Sequence, residues 1–187
     1  MKEAGREIAP VADWDTKRRW VGELFESLEL DGYRVGSGYT ASRGADTKFL
    51  YRDGLWHGAD LLGLGVASFS HVGGTHFQNV HDFDPYIECV ESGELPVHRG
   101  LRLTDEERLI REFVLQLKLG KLDTRALSQK FETDVIERFR TQLERHERDG
   151  YLSIEEQTIT LSRRGLLQVD TLLDPFFLEQ HRAVRYA

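Results

Sequence analysis

The chain has 187 residues, 40% hydrophobic and 30% charged, with a formal net charge of −7. That is the composition of a soluble globular protein long enough to bury a core, as one domain or two small ones. The acidic balance argues against a nucleic-acid partner, because phosphate contacts need clustered Lys and Arg. Cys89 is the only cysteine, so no disulfide framework is available, and a thiolate-held zinc or iron–sulfur site would need further sulfurs. One free cysteine fits a reducing, cytoplasmic setting. No run approaches the roughly 18 apolar residues of a membrane span, and the charged stretch Met1 to Pro10 is not a signal peptide.

Residues 1–12 have no clear period and are expected to lack fixed structure. Trp20, Leu24 and Leu28 repeat at four-residue spacing, with Val21 and Phe25 beside them, which predicts a helix from Asp15 to Leu30. Asp31-Gly32 stops it, and Tyr33 to Ala41 reads as a strand, giving the second half of an α/β repeat. Residues 42–59 read as a loop with a short strand at Phe49-Leu50-Tyr51. Trp14, Trp20 and Trp56 are expected in the core.

Asp60-Leu-Leu-Gly-Leu-Gly-Val-Ala-Ser-Phe-Ser70 is apolar, of strand length, and broken by glycines two apart. Glycine inside a strand marks a bulge or a close approach by a ligand or another backbone. Residues 61–70 therefore read as a core strand with a bulge, or one whose end lines a ligand cavity. A dinucleotide or P-loop reading fails, because no third glycine, helix start or Lys-Ser/Thr pair follows. Val72-Gly73-Gly74-Thr75 predicts a hairpin turn, with His76-Phe77-Gln78 returning.

His71, His76 and His81 are five apart, with His57 upstream. Residues five apart fall on opposite faces of a strand, so they do not converge on one metal. Asp82 and Asp84 beside His81 offer an acid–base pair, although Asp84 before Pro85 reads better as a helix cap. A helix is predicted from Pro85 to Ser92, with Cys89 on it as a small buried hydrophobe.

After Pro96 the pattern changes. Thr104 with Glu107 is a capping box, opening a helix striped by Leu109, Ile110, Phe113, Val114 and Leu117. Gly120 stops it. A short helix is predicted over Asp123 to Phe131. Another follows, capped by Thr133, with Val135, Ile136, Phe139 and Leu143 on one face, and ends at Gly150. Tyr151 to Ile154 and Thr158 to Leu161 form a hairpin, and a last helix covers Arg163 to Leu173. Three helices and a hairpin are the order of a winged helix. The would-be recognition helix, 134–149, carries five acids against four arginines, which disfavours DNA. A structural or interaction module is the better reading, and a domain boundary is placed near Pro96 to Leu103.

The glycine segment, followed by Gly73 and Gln78-Asn79, resembles a late core strand of the oxygen-independent coproporphyrinogen III oxidases, radical S-adenosylmethionine (SAM) enzymes of haem biosynthesis. The resemblance continues through Gly32-Tyr33, Tyr86, Gly93, Arg99-Gly100-Leu101, Leu103-Thr104, Asp105, Arg111, Leu122-Asp123 and Leu161…Gly165, across about residues 14–177. It implies an α/β architecture in which residues 1–95 are the last α/β units of a partial TIM-like barrel. Residues 96–187 are then the family's winged-helix-like C-terminal domain, lying over the substrate as a lid. It implies that Gly63, Gly65, Ser68 and Phe69 form a SAM-cavity wall, Phe69 standing where the family has an aliphatic residue. Gln78 and Asn79 become contacts to a tetrapyrrole substrate, and no residue is a catalytic acid, base or nucleophile.

The family's 4Fe-4S cluster depends on a Cys-x-x-x-Cys-x-x-Cys motif that this sequence lacks. Nor does it have a counterpart of the barrel's earlier part. The resemblance therefore implies the C-terminal part of an oxidase that decarboxylates coproporphyrinogen III, inactive alone, with a separate N-terminal radical SAM segment as partner. One alternative is a haem-binding or other tetrapyrrole-handling relative, with His71, His76 and His81 as axial-ligand candidates. Another is a non-catalytic winged-helix DNA-binding module.

Overall fold

The computed structural model describes residues 11–182 except Ala45. Most of the stretch 1–12, expected to lack structure, lies outside them. Asp13 caps α1 (Trp14–Leu30), its carboxylate accepting from Thr16 N at 2.7 Å. Gly32 reverses the chain at φ 81°. The strand expected over Tyr33 to Ala41 is instead a hairpin, β1 (Tyr33–Ser37) against β2 (Thr40–Arg43). Gly38 and Tyr39 turn the chain, after a bulge at Gly36, where the sequence predicts a continuous strand. The segment expected to hold a short strand forms α2 (Leu50–Trp56). Its β-prone letters Phe49-Leu50-Tyr51 yield to tertiary context, with the Arg52 guanidinium stacked 4.5 Å from Phe49 and 5.2 Å from Trp56.

The largest correction concerns residues 61–70. Only Phe69 and Ser70 belong to a strand, β3 (Phe69–Val72), and Leu61 makes an isolated bridge to His71. Residues 62–68 are a loop, with Leu62 64% and Leu64 83% exposed. The expected glycine turn is present: Gly73 and Gly74 have positive φ and join β3 to β4 (Thr75–Asn79). Helix α3 (Phe83–Glu91) starts after Asp82, so Asp84 lies in its first turn and is not its cap. A strand not foreseen, β5 (Val97–Arg102), adds to β4 and completes an antiparallel sheet in the order β3-β4-β5. Every strand pairing among the described residues is antiparallel.

From residue 103 onward the expectations hold better. Thr104 and Glu107 form the capping box of α4 (Asp105–Leu117). Then come β6 (Lys121–Asp123), α5 (Arg125–Lys130), α6 (Val135–Arg138) and α7 (Arg140–Arg148). The single helix expected over 134–149 breaks at Phe139, whose φ of −110° and ψ of 16° leave the helical region. Asp134, not Thr133, caps the first piece. The hairpin β7 (Leu152–Glu155) and β8 (Thr158–Leu161) joins β6 in a sheet ordered β6-β8-β7. Helices α8 (Arg163–Leu166) and α9 (Val169–Leu172) and two 3₁₀ turns, Asp174–Phe176 and Glu179–His181, close the chain.

The core lies almost wholly in this second half. Phe113, Leu117, Val135, Phe139, Leu143 and Ile159 are essentially inaccessible. Phe113, Phe139 and Phe176 pack against one another, tilted or edge-to-face, with ring centroids 4.5 to 5.4 Å apart. Such contacts contribute about 0.5–1.5 kcal/mol each beyond the area they bury. Gly165 is required by this packing, since a Cβ there would lie 2.0 Å from the Tyr151 carbonyl oxygen.

The first half is different. Phe25 is its one buried large hydrophobic among the described residues, and the exposed large hydrophobics among them fall between Val11 and Leu101. Trp14 and Trp20, expected in the core, are 70% and 54% exposed. Tyr39 donates to Asp170 at 2.7 Å, Lys118 pairs with the same carboxylate at 2.8 Å, and Arg163 pairs with Glu29, so the two halves are tied together. Burial alone would raise the Asp170 pKa. The bonds from Lys118 and Tyr39 outweigh it and hold the carboxyl below its usual value, while burial and Asp170 push the Tyr39 phenol up.

Candidate functional site

The loop 62–68 is held from below by β4. Asn79, 5% exposed, donates its amide to the carbonyls of Gly63 at 3.2 Å and Gly65 at 2.9 Å. Gln78 donates to the Ala67 carbonyl at 3.2 Å and accepts from Arg99 Nε at 2.9 Å. The Gly63 amide donates to the buried Ser70 hydroxyl and the Gly65 amide to Tyr86. Ser68 turns its hydroxyl onto the Leu64 carbonyl at 2.7 Å. The six residues singled out from sequence are therefore brought together. Their polar groups are largely spent within the loop and on its neighbours Ser70, Tyr86 and Arg99, which satisfies a backbone that makes no ladder.

The glycines have distinct reasons. A Cβ on Gly63 would lie 2.3 Å from the Phe69 carbonyl oxygen, so the backbone that approaches it is the chain's own. Gly65 adopts φ 97°, a left-handed conformation that side chains disfavour. Neither marks a cradle that a ligand must fill. Phe69 is 40% exposed and stacks on His76 at 5.5 Å and 12°, presenting an apolar edge to solvent.

The histidines correct the parity argument. His71 and His76 are direct cross-strand partners, with ring centroids 6.3 Å apart, because the Gly73-Gly74 turn lies between them. His81 stands elsewhere, against His98. No group of three or more metal-binding side chains occurs among the described residues. Burial and the nearby Arg111 charge hold His76 below its usual pKa. Burial does the same for His71, helped by Arg111 and His76.

A second feature was not read from sequence. Helix α4, Leu55 of α2, β4, β5 and the chain after α9 line an open cavity of about 390 Å³. Leu101, Leu103, Ile110, Val114, Phe177 and Leu178 give it apolar walls, interrupted by His76, Arg111, Glu107, Lys118 and His181. Glu107 is held below its usual pKa by its bonds to His181 and Thr104. Arg111 belongs to the family-like stretch, but one helix face gives no signal of what arrives opposite it from β4 and the C-terminus.

A three-thiolate cluster does not fit this chain. Cys89 is half-buried on α3 and is the only cysteine. On the 134–149 segment, Arg138 is paired with Glu106, and Arg140 with Glu137 and Glu144. No helix among the described residues is long and apolar enough to cross a membrane.

Comparison with known proteins gives a consistent picture. Residues 103–167 match the family described as the HemN C-terminal domain. The oxygen-independent coproporphyrinogen III oxidase of Pseudomonas aeruginosa is 30% identical over 162 residues, 79% of this chain and 35% of that relative. The Helicobacter pylori enzyme of the same name (strain 26695) is 30% identical over 119 residues, 62% of this chain and 26% of the relative. The chain thus spans between a quarter and about a third of these relatives' lengths. Among solved structures, the Escherichia coli coproporphyrinogen III oxidase HemN, described as a radical SAM enzyme, matches with a TM-score of 0.72. The match is at 21% identity and covers 91% of this chain and 43% of that one. The mixed α/β fold with its small sheets is therefore that of part of HemN. This chain is thus similar to the C-terminal part of the oxygen-independent coproporphyrinogen III oxidases, and its residues 103–167 match the HemN C-terminal domain.

Proposed function

We propose that the chain works as the C-terminal part of a coproporphyrinogen III oxidase-like assembly and leaves the radical chemistry to another polypeptide segment. In this reading residues 1–95 complete a barrel supplied mostly from outside the chain, and residues 96–187 form a winged-helix-like cover. The glycine loop is a pre-set wall of the SAM and tetrapyrrole cavity. Phe69 offers the apolar surface, while Asn79 and Gln78 set the loop's shape, with Gln78, partly accessible, as the polar group nearest the substrate. The sheets among the described residues are antiparallel, so a parallel barrel pairing there would be made with strands of the other segment.

One observation carries the reading: the segregation of apolar exposure. Trp14, Trp20, Leu24, Leu50, Tyr51 and Leu64 are all more than half exposed, while the half after residue 103 buries its large hydrophobics. Large apolar side chains left in water in one half only are what a covering partner would bury. The half that bears it is the one that would meet a barrel.

The test is association. The part of the P. aeruginosa relative that this chain does not match supplies a trial partner, as does any three-cysteine segment encoded beside this chain. Co-expression is expected to give a stable complex by size exclusion, with loss of the chain's binding to an apolar dye. Trp20→Ser with Leu24→Ser should weaken it. A chain that stays monomeric, silent to the dye and indifferent to both partners would refute the reading.

A further inference from the structure

The cavity between α4, β5 and the C-terminal turns carries chemistry that the cover role does not use. Its walls are apolar, and its volume of about 390 Å³ lies at the lower end of the roughly 300–1,000 Å³ of small-molecule sites. Most of its charged groups are engaged. Lys118 pairs with Asp170 at 2.8 Å. Glu107 accepts from the Thr104 amide and hydroxyl and is bonded to His181 at 2.7 Å. Arg111 is the exception. Its Nη1 is buried and has no hydrogen-bond partner, and no ion pair of Arg111 occurs among the described residues. His71, whose proton affinity burial and the Arg111 charge lower, likewise keeps a buried Nδ1 without a partner.

A buried guanidinium N–H without an acceptor costs free energy, and the fork of an arginine matches a carboxylate in shape and charge. We propose that this cavity binds a small amphipathic carboxylate, its apolar body against Ile110, Val114 and Leu178 and its carboxylate on Arg111. The unanswered charge is positive, which excludes amines. The walls are apolar, which disfavours small hydrophilic anions. The site does not depend on the glycine loop or on the larger assembly, so it stands or falls separately from the proposed function.

Sodium decanoate, decanol and decylammonium serve as probes for calorimetric titration of the whole chain at low salt. Decanoate is expected to bind, the other two at least about tenfold more weakly, and Arg111→Gln to lower decanoate affinity by at least about tenfold. Thermal melts check that the variant folds. If it does not, methyl chemical shifts of Ile110, Val114 and Leu178 in the wild-type chain decide, because they must move with decanoate and not with decylammonium. Absence of binding, equal binding of the three probes, unchanged affinity in folded Arg111→Gln, or shifts confined to other methyls would each overturn the site.

Discussion

Replacing Asn79 by alanine removes the two bonds, 3.2 and 2.9 Å long, that hold the Gly63 and Gly65 carbonyls. Each is worth about 0.5–1.5 kcal/mol net, so the loop loses about 1–3 kcal/mol. Both glycines are partly accessible, so water recovers some of the carbonyls' hydrogen bonding and keeps the loss in that range. The effect is local, because Asn79 has no part in the core around Phe113 and Phe139. Hydrogen exchange at neutral pH reads this directly. The amides of Gly63, Gly65 and Ala67, bonded to Ser70, Tyr86 and Val80, should exchange roughly 5- to 150-fold faster, since about 1.4 kcal/mol is a factor of ten. Those of Phe113, Leu117 and Ile159 should keep their rates. Unchanged exchange across 63–68 in a folded variant, or equal acceleration everywhere, would refute the claim that Asn79 is the loop's brace.

Gly165→Ala forces a Cβ to within 2.0 Å of the Tyr151 carbonyl oxygen. It should destabilise the second half by several kcal/mol, on the order of the largest single-residue effects, and a melting temperature within a few degrees of wild type would contradict this. His146 is 5% exposed, with Nε2 against the Leu172 carbonyl and Nδ1 unpartnered, and burial pushes its pKa below the usual value. The unfolded chain therefore takes up the proton first, so the stability from neutral His146 is full above about pH 6.5 and is lost as pH falls towards the folded pKa. His146→Gln should flatten the fall in melting temperature between about pH 7.5 and about pH 5.5, and an unchanged slope would assign the dependence elsewhere.

The second half was legible because local signals and tertiary packing agree there. The Thr104–Glu107 box, the Leu109-to-Leu117 stripe and the stops at Gly120 and Gly150 each encode the element that forms. The first half misled because apolar letters were read as buried. Leu62, Leu64 and Trp20 carry the pattern of a core and lie at the surface. Strand β5 was missed because all of Val97–Arg102 is exposed and shows no alternation of apolar and polar residues. Of the alternatives that the glycines offer, a bulge or a close approach, Gly63 shows the close approach, with the Phe69 backbone as its neighbour, while Gly65 serves a left-handed turn. Arg111 could not be read as a site residue, because the residues that line the cavity with it come from β4 and the C-terminal turns, far away in sequence.

The central claim is that this chain completes an assembly whose reactive centre lies outside it. The most direct measurement is anaerobic turnover of coproporphyrinogen III by a reconstituted three-cysteine segment, with SAM and a reductant, in the presence and absence of this chain. Product is expected only when both polypeptides are present, and less of it with Trp20→Ser and Leu24→Ser. Turnover by the segment alone at the same rate, or none with a verified complex, would contradict it.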